Sequence, residues 1–147
     1  MTDIRDSRAV QHEDALIRAF VVPSRVERFL YLVADPKRRH KFTGELGHFR
    51  WFDPTYATPV KWKVDPSLPL WERHLQGKRH IIELLRSKGA GRTCWLLSDR
   101  TDKDGQEVDL ERGVEDISDG SILSCVPGRL AYFEGEDESL LLERTRN

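Results

Sequence analysis

The sequence predicts an α+β fold, in which N-terminal helices pack on a C-terminal, mostly antiparallel sheet of about four strands. Two observations predict this class. Apolar residues recur at helical spacing up to about residue 88, whereas after Gly91 they fall in short runs of strand length. A block of helices followed by a block of strands is typical of α+β domains and not of alternating βαβ units.

The 147 residues are most simply one domain, because a chain of this length can bury its own core and shows no internal repeat. We divide it into an N-terminal arm (1–22), a helical, basic part (23–90) and a β-rich, acidic part (91–147). Residues 1–92 hold 18 Lys and Arg against 11 Asp and Glu, which is +7; residues 93–147 hold 6 against 14, which is −8. This asymmetry indicates either an anionic partner for one face or neutralisation between the halves across an internal interface.

The first predicted helix covers residues 24–34, where Ser24 and Glu27 have the spacing of a capping box. A second helix is predicted over residues 36–48, because Asp35 precedes a proline and is placed to cap the first turn. The apolar stripe of this second helix consists of Phe42, Leu46 and Phe49.

The third predicted helix covers residues 70–88 and stops at Gly89. Between the second and third helices, residues 51–70 form an aromatic-rich loop. Prolines at 54, 59, 66 and 69 exclude a long regular element there.

Four apolar runs in the acidic part predict strands. They are Cys94 to Leu97, Ile122 to Val126, Leu130 to Phe133 and Leu140 to Leu142. Asp104 and Gly105 mark a turn, and Pro127 with Gly128 joins two strands as a tight hairpin. Residues 108–117 form either a short helix or an irregular crossover.

A basic run at residues 37–41 is the most informative motif, because positive charge is disfavoured in the first turns of a helix unless something offsets it. The run consists of Lys37, Arg38, Arg39, His40 and Lys41. A phosphate group or another anion at the helix N-terminus would offset the charge. Acidic residues of the C-terminal half, such as Glu134, Glu136 and Asp137, are the internal alternative.

Aromatic and basic residues alternate beyond this run. Proteins that bind single-stranded nucleic acid combine these residue types, because the bases stack on the aromatic rings and the phosphates contact the basic side chains. Arg50, Trp51, Lys61 and Trp62 extend the predicted ligand surface. The leading hypothesis is therefore a small non-catalytic binding or regulatory domain that recognises nucleic acid or a phosphate-bearing ligand. The structural alternative is that these aromatic residues pack over the edge of the core.

A different function is predicted by an acidic turn between the last two predicted strands. It contains Glu134, Glu136, Asp137 and Glu138, with Gly135 allowing the chain to reverse. An exposed acidic surface can bind a basic protein, as an immunity protein or antitoxin does. A solvated hairpin tip explains the same residues.

An enzyme is the third hypothesis, namely a phosphoester hydrolase in which His40 or His48 acts as a base beside Arg39. We assign no catalytic residue, metal site or cofactor. Residues 100–111 depart from a calcium loop at its first position, which is Arg100, and no zinc-binding spacing occurs.

The expected location is cytoplasmic, because we find no apolar stretch of the roughly 20 residues that a membrane span needs and no signal-peptide pattern. No membrane partner is expected, and the oligomeric state is left open. Cys94 and Cys125 lie in apolar runs and are expected to be reduced, inert core residues.

Overall fold

The computed structural model describes residues 5–61, 63–136 and 138–144. Six strands within these ranges form one antiparallel sheet in the order β1, β6, β5, β4, β2, β3. The strands are β1 (Ala57–Val60), β2 (Thr93–Leu97), β3 (Gln106–Asp109), β4 (Ser121–Val126), β5 (Leu130–Glu134) and β6 (Ser139–Glu143). The α-helices are α1 (Ser7–Ala9), α2 (Ala15–Phe20), α3 (Pro23–Val33), α4 (Arg39–Leu46), α5 (Leu70–Ser87) and α6 (Leu110–Glu115).

Helices cover both faces of the sheet, so each face has its own apolar core. The core beneath α2, α3 and α4 includes Leu16, Phe20, Phe29, Trp95, Ile122 and Phe133. The core beneath α5 and α6 includes Ile81, Leu85, Leu96, Leu123 and Tyr132. Because successive side chains of a strand point to opposite faces, the central strands are apolar on both sides. The predicted α+β class and antiparallel sheet are confirmed.

All four predicted strands are present, and the two edge strands, β1 and β3, were not predicted. β3 has the sequence Gln-Glu-Val-Asp, which lacks an apolar run, and β1 contains Pro59. The amide of Glu143 donates to the carbonyl of Tyr56 at 2.9 Å. Because alternate residues of an antiparallel strand bond to the neighbouring strand, this bond shows which backbone groups of β1 face β6. In this register the nitrogen of Pro59 faces away from β6, where proline costs no ladder hydrogen bond.

The three predicted helices are present near the predicted positions, but their first or last residues differ from the prediction. α3 begins at Pro23 and Val22 precedes it without a side-chain cap, so the predicted capping box of Ser24 and Glu27 is wrong. Proline at the first helical position starts this helix instead.

The second predicted helix divides into a 3-10 turn (Pro36–Arg38) followed by α4. The predicted cap at Asp35 is present, since its side chain accepts a hydrogen bond from the amide of Lys37. Phe49 belongs to a further 3-10 turn (Phe49–Trp51) and is 57% exposed, unlike Phe42 and Leu46.

The N-terminal segment differs from the predicted arm. A π-helical segment (Val10–Asp14) connects α1 to α2, and Leu16, Ile17 and Phe20 are buried in the core. The weak apolar period of this segment therefore marks a packed helix. This packed helix was not predicted from the sequence, because charged and polar residues occupy the turns on either side of its apolar residues.

Cys94 and Cys125 are free and buried on neighbouring strands. Their mutual hydrogen bond and their burial raise the pKa of the Cys94 thiol. A thiol with a raised pKa is a poor nucleophile, in agreement with the predicted inert role. Among the described residues, no helix combines the length and apolarity needed to cross a membrane.

Candidate functional site: an acidic groove at one end of the sheet

An open groove of about 1090 Å³ lies where the strand ends meet the end of α4. The register places the end of β2, the start of β4, the end of β5 and the start of β6 at the same end of the sheet. The groove is therefore assembled from segments that are distant in sequence. Phe49, Pro59 and Phe133 contribute apolar surface to it.

Carboxylates dominate the charge of the groove. They are Asp99, Asp119, Glu134, Glu136 and Glu138, and the cations Lys61 and Arg100 also line it. Within residues 5–61, 63–136 and 138–144, none of the five carboxylates forms an ion pair. A concave surface with an excess of one sign of charge, here five carboxylates against two cations, concentrates its field on whatever enters it. The groove is thus suited to a cationic ligand.

Two glycines bring the walls of the groove together. A Cβ atom placed on Gly47, at the end of α4, would lie 2.9 Å from the carbonyl oxygen of Gly120. Gly120 has φ +82°, and its amide donates to the carbonyl of Glu134 at 2.7 Å. Only a residue without a side chain permits this approach, so α4 and the turn before β4 are held in direct contact.

A chain of buried polar contacts fixes the loop that carries Asp99 and Arg100. The hydroxyl of Ser121 donates to the hydroxyl of Ser98 at 2.8 Å, and the amide of Arg100 donates to the same Ser98 oxygen at 3.1 Å. The amide of Ser98 donates to Asp104 at 2.9 Å. The loop is therefore positioned by interior hydrogen bonds.

The chain matches no protein-family model, no curated protein and no solved structure. The function therefore has to be inferred from the residues of the molecule itself.

The predicted basic surface is divided between the interior and the exterior. Arg39 donates to Asp104 through two nitrogens, at 2.8 and 2.9 Å, and to the fully buried Glu13 at 2.7 Å. Burial by itself lowers the pKa of Arg39, but the hydrogen bonds to Asp104 and Glu13 outweigh it and raise the pKa above its usual value. Arg39 is therefore an internal ion-pair partner.

Arg5 and Trp95 complete the polar cluster around Glu13. They donate to its carboxylate at 2.9 and 2.8 Å, so two guanidinium groups and an indole satisfy one buried charge. The predicted internal partners of the basic run were acidic residues of the C-terminal half, such as Glu134, Glu136 and Asp137; of the observed partners, Asp104 belongs to that half and Glu13 does not. Neither carboxylate is near those residues in sequence.

Arg38 also contacts partners within the molecule. Its guanidinium lies 3.9 Å from the centre of the Tyr31 ring, donates to the Tyr31 carbonyl and pairs with Asp35 at 3.3 Å. The remaining members of the run are exposed on the surface: Lys37, His40 and Lys41.

The other predicted ligand residues lie on two surfaces. Arg50 is exposed, with its guanidinium 5.5 Å from the centre of the Trp51 ring, and Arg25 lies 4.3 Å from the same ring. Lys61 lines the acidic groove instead. Trp62 and Asp137 lie outside the described residues. Of the predicted acidic turn, Glu134, Glu136 and Glu138 all line the groove.

The histidines are dispersed over the molecule. His40 is exposed on α4 and His48 lines the groove, so the two proposed bases do not share one cleft with Arg39. His12 stacks on Trp95 and its Nδ1 lies 2.7 Å from the hydroxyl of Ser124. Burial lowers the pKa of His12. The described residues contain no cluster of ligands suited to a metal ion.

Sequence reasoning missed Asp99 and Asp119, which only the strand register brings beside the acidic turn. It also missed Glu13, for which a signal exists. Residues 9, 13, 16 and 20 follow helical spacing, so Glu13 occupies a core position in an otherwise apolar stripe. A carboxylate at such a position requires a buried partner.

Proposed function

We propose that this domain binds a basic segment of a protein in the acidic groove. The observation that carries the proposal is the set of five groove carboxylates without an ion pair among the described residues. Carboxylates elsewhere, such as Glu13, Glu45 and Asp104, have arginine partners. Carboxylates outside the groove, such as Glu83 and Glu115, also lack an ion pair among the described residues, but the groove brings five together on one surface that an external cation can enter.

The apolar surface of the groove favours a protein ligand over a free cation. Phe49 lines the groove and is 57% exposed, and an aromatic residue that a partner buries commonly contributes much of the binding energy. Lysine and arginine combine a charged head with an apolar stem, so they can contact the carboxylates and Phe49 together. Charge complementarity then provides specificity and fast association.

The test is fluorescence anisotropy with a labelled peptide that contains several arginines, lysines and one aromatic residue. We expect salt-sensitive binding, because screening shortens the range of charge interactions from about 10 Å at 0.1 M to about 3 Å at 1 M salt. An acidic peptide of the same length should not bind. Replacing Asp119→Asn with Glu136→Gln should weaken binding about tenfold, which is about 1.4 kcal/mol.

The matched control is Glu83→Gln with Glu115→Gln, which removes the same charge at exposed positions outside the groove. Its affinity should equal that of the wild type. Equal binding of the basic and acidic peptides, or equal weakening by the control, would contradict the proposal.

A second candidate is binding of an anionic ligand or nucleic acid beside Trp51. The observation that favours it is the placement of Arg25 and Arg50 against the Trp51 ring, since arginine and aromatic rings together bind phosphates and bases. The same assay with a labelled single-stranded oligonucleotide separates the candidates. Binding that falls steeply with salt and is lost in Arg25→Ala with Arg50→Ala would favour this second surface.

A further inference from the structure

The apolar stripe of α5 continues beyond the part of the helix that the fold covers. Ile82 and Leu85 are buried, and Trp71 and Leu75 lie on the same side of the helix at spacings of four, seven and three residues. Trp71 is nevertheless 63% exposed and Leu75 45% exposed. We call residues 70–76 the α5 overhang, because the fully buried residues of this helix begin at Gly77, whereas Glu72 and Arg73 before it are half-buried.

An arginine of the overhang has a hydrogen-bond donor without an acceptor. The Nε of Arg73 is buried and has no hydrogen-bond partner. Buried polar groups in folded proteins are nearly always paired, so an unpaired one requires an explanation. Arg73 also forms no ion pair among the described residues.

The segment around the overhang is basic as well as apolar, although residues 70–76 themselves hold one cation, Arg73, and one anion, Glu72. Residues 63–80 hold Lys63, Arg73, Lys78 and Arg79 against Asp65 and Glu72, and they also contain two histidines. Lys78 donates to the carbonyls of Val114 and Glu115 within the molecule, whereas Arg79 is exposed. The segment thus combines positive charge with exposed Trp71 and Leu75, as a ligand of the groove would.

The overhang lies at the same end of the sheet as the groove. The C-terminal end of α5 is at the opposite end, because Lys88 pairs with Glu143 of β6 at 3.4 Å and a short connection leads from there to the start of β2. A helix of 18 residues is about 27 Å long, which carries its N-terminus back to the groove end. α4 and α5 cover opposite faces, so the two surfaces adjoin without overlapping.

We propose that two copies of this chain pair at this end of the sheet, with the α5 overhang of each lying in the acidic groove of the other. The inference rests on the proposed function, since it identifies the basic segment as part of a second copy. In a twofold-symmetric dimer the overhang of each copy contacts the groove of the other, so the same contact forms twice. No further copy can then add, and the assembly closes as a dimer. Both contacts together are needed to approach the roughly 1,600 Å² that stable interfaces bury.

The test is sedimentation equilibrium of the full chain over about 1–100 μM at about 0.05 M salt. We expect a mass twice the 17.1 kDa of one chain, falling toward the monomer at high salt. Trp71→Ser with Leu75→Ser, and separately Asp119→Asn with Glu136→Gln, should each raise the dimer dissociation constant at least tenfold. Tyr31→Ser is the matched control, because Tyr31 is a 60% exposed aromatic residue on α3, away from both surfaces.

A monomer over the whole concentration range would overturn the dimer, and so would a dimer that is unaffected by the groove variant. A monomer that still binds the basic peptide would leave the proposed function intact, whereas a monomer that binds no peptide would contradict both. Cosedimentation of a monomer with vesicles of phosphatidylserine and phosphatidylcholine through Trp71 would make a lipid surface the occupant of the overhang and overturn the dimer.

Discussion

Arg39 shows how a basic residue at the start of a helix can be stabilised from within the molecule. It is the first residue of α4, where the helix dipole disfavours positive charge. Glu13 and Asp104 offset this effect, and the three side chains link the N-terminal helical segment, α4 and the loop after β2. The function of Arg39 is therefore structural, and it also supports one wall of the groove.

Replacing Arg39→Met should lower the free energy of unfolding by about 3 kcal/mol, because Asp104 loses its guanidinium partner and the buried Glu13 is left with Arg5 and Trp95 as donors. Urea unfolding followed by circular dichroism measures this loss. Lys41→Met, at an exposed position of the same helix, should change stability by no more than about 0.5 kcal/mol. Equal free energies of unfolding for the two variants would show that the ion pairs of Arg39 do not stabilise the fold.

Residue types alone could predict the acidic turn but not the partners of the basic run. Glu134, Glu136 and Glu138 are close in sequence, so their charge is visible without a fold. Glu13 and Asp104 lie 26 and 65 residues from Arg39, and only the packing of α2 and α4 on the sheet brings them together. A helical position that carries charge inside an apolar stripe is the signal that could have identified Glu13, and no prediction from the sequence used it.

At the scale of the elements, the contact between α4 and the turn before β4 determines the shape of the groove. Gly47 and Gly120 allow backbone to approach backbone there. By contrast, a Cβ atom on Gly44, one turn earlier, would lie 4.0 Å from Asp99, an ordinary van der Waals distance. The two glycines of α4 therefore have different roles.

Gly47→Ala should destabilise the protein by about 1–3 kcal/mol, because the added methyl group overpacks the contact with Gly120. Gly44→Ala should stabilise it by about 0.5–1 kcal/mol, since alanine restricts the unfolded chain and favours the helix. Thermal unfolding of both variants gives the sign of each change. A stabilising Gly47→Ala would contradict the close approach of the two walls.

The elements that the sequence predicted are those whose burial imposes a regular pattern. Apolar runs revealed the four central strands, and helical spacing revealed α3 and α5. β1 and β3 are edge strands with one neighbour each, so they need no apolar run and can hold proline or charge. The N-terminal helices were underestimated because their stripe is interrupted by Glu13.

At the scale of the whole molecule, the N-terminal segment is the cover of one sheet face. Leu16, Ile17 and Phe20 pack in the same core as Trp95 and Phe133. Ion pairs such as Arg39 with Asp104 and Arg8 with Glu107 also join the basic half of the chain to the acidic half. The halves therefore neutralise each other in part, and the groove carboxylates are among the charges that remain.

Deleting residues 1–22 should abolish cooperative unfolding, because losing three buried side chains at about 2–5 kcal/mol each removes as much free energy as the usual stability of a domain, about 5–15 kcal/mol. Near-ultraviolet circular dichroism during heating measures this. Leu16→Ala should remain folded but lose about 2–5 kcal/mol in urea unfolding. A cooperative transition in the shortened chain would indicate that the segment is a dispensable arm.

Pro59 has a consequence for how this protein behaves at high concentration. Fibrils grow when the outer strand of a sheet offers unpaired amide donors to an incoming chain. Pro59 removes one donor from the outer side of β1, and at the other edge β3 carries the charges of Glu107 and Asp109. Both margins of the sheet therefore disfavour cross-β polymerisation, which favours association between copies through side chains.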